Sequence, residues 1–159
     1  MFTVASYGDN RVKNYDLVIK QLEALLDGEP NIVANLSNAS ALLNQFLERI
    51  NWVGFYLREN EELVLGPFQG LPACVRIPMG KGVCGTAAAR KESLVVKDVH
   101  EFPGHIACDA ASQSEIVIPI MKAGETFGVL DIDSPEKDRF DEVDQLYLEK
   151  FVKTLERYL

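Results

Sequence analysis

Segments of alternating side chains fill the middle of this chain, and helical patterns enclose them at both ends. Asn51–Arg58 and Glu62–Gln69 read as a hairpin turning through Glu59, Asn60 and Glu61. Ser93–Lys97 reads as a short strand, and Glu115–Lys122 with Thr126–Asp133 as a second hairpin turning at Ala123-Gly124-Glu125. Before them, Tyr15, Val18, Ile19, Leu22, Leu25 and Leu26 recur at helical spacing, and Gly28 with Pro30 ends that run. Val33, Leu36, Leu43, Phe46, Leu47 and Ile50 form a second stripe. Val143, Leu148, Phe151, Val152, Leu155 and Leu159 form a third, with Asp141 as its N-cap and Glu142 and Asp144 at the positive end of the helix dipole. Terminal helices around central strands predict an α+β fold, an antiparallel sheet with helices packed on one face. Residues 1–159 read as a single domain without repeat or linker.

Parity then separates the two faces of that sheet, because successive strand residues point to opposite sides. Val53, Phe55 and Leu57, Ile116, Ile118 and Ile120, and Leu130 and Ile132 are wholly apolar sets that belong against the helices. The opposite face carries Trp52, Tyr56, Glu115, Val117, Phe127, Val129, Asp131 and Asp133. A solvated sheet face also alternates in this way. Two large aromatics need a cover, however, and with three carboxylates they describe the wall of a polar-ended pocket. The cover must come from the segment between about Gly70 and Ser114, which holds all three cysteines, Cys74, Cys84 and Cys108.

The net charge of −8 argues against a nucleic acid partner, and no apolar run is long enough to cross a membrane. Nothing at the N-terminus reads as a signal peptide, so the expected compartment is the cytoplasm, where thiols stay reduced unless they are catalytic. Three cysteines are an odd number for a disulfide framework, and buried cysteines are often no more than small hydrophobes. Gathered over one pocket, they point to redox chemistry. Arg76 to Ala89 is a glycine-rich turn running into an alanine-rich helix, and it lacks the ending of a phosphate loop. Cys84 falls in the first turn of that helix, where free amides and the dipole favour a thiolate. His105 and Cys108 follow in a long turn, where the histidine is placed to lower the pKa of a neighbouring thiol. Neither Cys74 with Cys84 nor His105 with Cys108 has the spacing of a structural zinc motif, so no metal is expected.

The turn Gly80-Lys81-Gly82-Val83-Cys84-Gly85, the run Asp131-Ile132-Asp133-Ser134 and the closing Phe140-Asp141-Glu142-Val143-Asp144 resemble a GAF domain. More narrowly, Trp52-Val53-Gly54-Phe55-Tyr56, Leu65-Gly66-Pro67-Phe68-Gln69-Gly70 and the three cysteines resemble the free methionine-R-sulfoxide reductase family. The resemblance spans nearly the whole chain. It implies free methionine sulfoxide as substrate, thioredoxin as reductant, no cofactor, and allows a homodimer. It implies Cys108 as nucleophile and Glu115 as acid, with Cys74 and Cys84 both open as the resolving thiol. Asp131 and Asp133 would pair with the substrate ammonium, while Trp52 and Tyr56 would offer it an apolar wall. A ligand-sensing GAF domain without chemistry, or one carrying a covalent chromophore, would share the fold but not this set of residues.

Overall fold

The computed structural model describes residues 1–159, and its sheet has six strands in the order β3-β2-β1-β6-β5-β4, all antiparallel. These are β1 (Trp52–Glu59), β2 (Glu62–Gly70), β3 (Arg76–Pro78), β4 (Leu94–Val96), β5 (Ser114–Lys122) and β6 (Glu125–Ser134). The α+β expectation is met. Helices α1 (Arg11–Leu26), α2 (Ile32–Phe46) and α4 (Glu142–Glu156) cover one face. Helix α3 (Gly82–Arg90) and the loops around it cover the other.

The helix-side core is the apolar set expected from parity. Val53, Phe55, Ile116, Ile118, Ile120, Leu130 and Ile132 pack against Leu22 and Leu26 of α1, Leu36 and Leu43 of α2, and Leu148 and Phe151 of α4. Each fully buried aliphatic or aromatic side chain here contributes roughly 1.5–3 kcal/mol relative to exposure. The helices start where short polar side chains satisfy free amides. Asn10 and Asn31 accept from the backbone of Lys13 and Ala34, and Asp141 and Asp144 form a reciprocal capping box on α4. Arg11 reaches across to both Asp141 oxygens at 2.8 and 2.9 Å, and the Tyr15 hydroxyl donates to Asp144 at 2.7 Å, fastening α1 to α4.

Three details depart from the sequence reading. Helix α2 stops at Phe46 rather than continuing to Ile50, and Arg49 turns the chain with φ 57° into β1. The strand β3 is too short, and too rich in turn residues around it, to have been read from pattern. Phe127 lies on the helix side, because β6 bulges there: Ile120 pairs with Gly128 and Met121 with Thr126, leaving Phe127 as the extra residue. No helix is long and apolar enough to cross a membrane.

Candidate active site

Register brings the polar residues of the other face together. Trp52 of β1 sits opposite Asp133 of β6, which sits opposite Glu115 of β5, so the three form a row across the central strands. The neighbouring row is Gly54, Asp131 and Val117. Gly54 has no room for a side chain, since a Cβ there would overlap Phe68 on β2. Phe68 instead stacks on the Trp52 ring at 5.2 Å between centroids, and Trp52 stacks on Tyr56 at 5.9 Å.

The cover over this wall is made from two loops and α3. The polar ends of the aromatics hold the first loop: Trp52 Nε1 donates to the Leu71 carbonyl at 3.1 Å, and the Tyr56 hydroxyl to the Cys74 carbonyl at 2.8 Å. The second loop is tied down by polar residues that the sequence did not single out. Asn51 donates to Asp109 at 3.0 Å and to Ser112 at 3.1 Å, while the Ser112 hydroxyl donates to Asp133 at 3.2 Å. Asp109 also accepts from the Ala111 amide at 2.8 Å, shaping the turn just after Cys108. At the start of α3, Gly82 takes φ 62° and its Cα faces Ile106, so a Cβ there would crowd the Ile106 side chain.

Cys84 and Cys108 line one cavity with Trp52, Tyr56, His105, Asp109, Ser112, Glu115, Asp131 and Asp133. Its volume is about 40 Å³, room for two or three water molecules. Cys108 is joined by a disulfide to Cys74, with Cα atoms 5.5 Å apart. That pairing leaves Cys84 as the free thiol, buried on the floor with Sγ 3.9 Å from Glu115 Oε2.

Burial dominates the electrostatics. Glu115, 6 % exposed, has its pKa pushed well above the carboxylate range, first by loss of solvent and then by the negative field of Asp131 and Asp133. Asp133 is pushed up for the same first reason, with Asp131 next. Asp131 is raised by burial as well, but the approach of Glu115, Cys84 and Asp133 as hydrogen-bonding neighbours draws it back. Asp131 is therefore the best placed of the three to carry charge, and Glu115 to keep a proton. The Cys84 thiol is also pushed well above its ordinary value by burial and then by Asp131. The expectation that the helix N-terminus favours a Cys84 thiolate is overturned, since desolvation and three acidic neighbours outweigh a partial dipole charge. Burial lowers the His105 pKa, which makes it a weak source of positive charge for any thiol.

A family model described as a GAF domain matches residues 36–159. The chain is 52% identical to the free methionine-R-sulfoxide reductase of Escherichia coli over 94% of this chain and 91% of that protein. Among solved structures, the reduced form of fRMsr from Staphylococcus aureus is 56% identical with a TM-score of 0.90, covering 100% of this chain and 99% of that one. The free methionine-R-sulfoxide reductase of Neisseria meningitidis in complex with its substrate is 44% identical with a TM-score of 0.95, covering 99% and 95%.

Proposed function

Since the chain belongs to the GAF-domain family and, within it, to the free methionine-R-sulfoxide reductases, we propose that it reduces free methionine-R-sulfoxide to methionine through Cys108 and Cys74. The observation that carries the cysteine assignment is the Cys74–Cys108 bond, whose Cys108 lines one cavity with Glu115, Asp131 and Asp133.

The Cys108 thiolate attacks the sulfoxide sulfur while the Glu115 carboxyl gives its proton to the sulfoxide oxygen. The hydroxyl then passes from the substrate sulfur to the Cys108 sulfur as the new S–S bond and the S–O bond break, so methionine leaves with the electron pair and Cys108 becomes a sulfenic acid. Cys74 attacks that sulfur, water departs, and the disulfide forms. An external dithiol, for which thioredoxin is the proposed donor, returns two electrons and restores both thiols. A carboxyl kept protonated by burial suits the first step, because a carboxylate has no proton to give. Asp131 and Asp133 are assigned to the substrate ammonium, whose charge replaces the missing counter-ion of this floor. Trp52 and Tyr56 are assigned to the apolar side of the substrate, and through Leu71 and Cys74 they also position the resolving loop. Cys84 takes no covalent part in this scheme. Cytoplasmic residence, a single domain over residues 1–159 and a homodimeric assembly belong to the same proposal.

The test is to incubate the protein with racemic free methionine sulfoxide, thioredoxin, thioredoxin reductase and NADPH. NADPH loss equivalent to half the substrate supports one-epimer reduction. Binding without turnover would instead favour a ligand sensor.

A further inference from the structure

Between turnovers, with no substrate ammonium bound, the floor of the cavity is a donor set without a counter-charge. Cys84 Sγ, an oxygen of Glu115 and an oxygen of Asp131 all lie within 4.8 Å of one another, and all three residues are buried. They come from α3, β5 and β6, which is why no short sequence spacing announces them. Asp131 is 5 % exposed and its Oδ1 has no hydrogen-bond partner, and neither has the buried Oδ1 of Asp133. His105 is the one basic residue in the cavity lining, so three carboxyl groups and a thiol converge without a lysine or arginine.

We propose that this floor is a binding site for a borderline-soft divalent cation of the Zn²⁺ type, held by Cys84, Glu115 and Asp131, with Asp133 or a water as fourth donor. One sulfur with carboxylate oxygens suits zinc, whereas magnesium and calcium want shells of oxygen alone. Zinc bonds of about 2.3 Å to sulfur and about 2.1 Å to oxygen set tetrahedral S and O donors about 3.6 Å apart. The Cys84–Glu115 separation of 3.9 Å is within a few tenths of an ångström of that. Size agrees: about 40 Å³ admits an ion with a water. Burial that disfavours the ionised donors is the condition a divalent ion reverses, and a coordinating thiol gives up its proton. On the reductase reading, the ion and the substrate ammonium need the same carboxylates, so zinc is a reversible inhibitor that substrate displaces.

The disulfide form makes the binding test specific, because Cys84 is then the only free thiol. Oxidised protein is titrated with Co²⁺, followed by thiolate-to-cobalt charge-transfer absorption, then with Zn²⁺. The expected result is one Co²⁺ per chain with that absorption, displaced by one equivalent of Zn²⁺ and unaffected by excess Mg²⁺. In Cys84→Ser the band vanishes, and Asp131→Asn weakens Zn²⁺ binding at least about tenfold, a loss that even outer-shell partners produce. A wild-type protein with no charge-transfer band at saturating Co²⁺, or a band that survives Cys84→Ser, overturns the site. This titration involves no turnover, so its failure is separate from failure of the reductase reading. In single turnovers of pre-reduced protein, rising substrate should relieve zinc inhibition; inhibition that substrate does not relieve overturns the shared-carboxylate argument.

Discussion

Reducing the Cys74–Cys108 bond should lower the melting temperature of the protein by a large and calculable amount. The bond joins positions 34 residues apart, and the loop it closes in the unfolded chain removes entropy worth about 4 kcal/mol at room temperature. For a chain of 159 residues, each kcal/mol moves the midpoint by roughly 2–4 °C, so the reduced form should melt about 8–15 °C lower. Opening the two loops would also free their contacts with Trp52, Tyr56 and Gly82, which adds to the loss rather than offsetting it. The magnitude alone does not identify the partners, since a Cys84–Cys108 bond would close a shorter loop worth about 3.5 kcal/mol. Variants make the distinction. Differential scanning fluorimetry with and without a phosphine reductant should show the shift in wild type and Cys84→Ser, and none in Cys74→Ser. Coincident melts in wild type, or a shift that survives Cys74→Ser, would refute the pairing.

Glu115→Gln should slow methionine formation about 10²- to 10⁴-fold in single turnovers with little change in substrate affinity, because the amide has no acidic proton to transfer. Asp131→Asn and Asp133→Asn should mainly raise the Michaelis constant, by about ten- to a hundredfold for a lost charged hydrogen bond; an unchanged value removes the ammonium assignment. Tyr56→Phe deletes the bond to the Cys74 carbonyl, about 0.5–1.5 kcal/mol, and should slow disulfide closure while leaving the sulfenate step intact, as rapid quench with a sulfenate trap would report. Stability should also depend on pH through the buried carboxyls. Glu115, Asp131 and Asp133 have folded pKa values raised above their unfolded values near about 4, so the native state holds more protons and loses stability as pH rises through the raised values. Asp141 acts in the opposite sense: bonds from Arg11 hold its pKa down, and that contribution fades as pH falls below about 4. The melting temperature should therefore decline from mildly acid to alkaline pH, and decline less in Glu115→Gln; an equal slope in the variant contradicts the assignment.

Much of the architecture was legible because it rests on local periodicity. The helix stripes, the Asp141 cap and the inward sets of β1, β5 and β6 each follow from residues a few positions apart. The wall of Trp52, Tyr56, Glu115, Asp131 and Asp133 was legible for the same reason, since parity alone puts them on one side. Phe127 was misplaced because one extra residue reverses parity, and nothing in Thr126-Phe127-Gly128 marks a bulge. The choice between Cys74 and Cys84 depends on how two loops lie over the sheet, which separation along the chain does not encode. Cys84 shows the limit most clearly: its place in the first turn of a helix was correct, yet the chemistry of that place is set by Glu115 and Asp131 arriving from distant strands. Asn51, Asp109 and Ser112 gave no signal at all, being single polar residues at strand ends and turns, where such residues are common.

The most direct measurement is a single turnover without any external reductant. Fully reduced protein is mixed with excess free methionine-R-sulfoxide, methionine is quantified, and the disulfide-linked peptides are mapped. The expected result is one methionine per chain, loss of two thiols, and a peptide pair joining Cys74 to Cys108 with Cys84 still free. No methionine, or a link that includes Cys84 in place of Cys74, would contradict it.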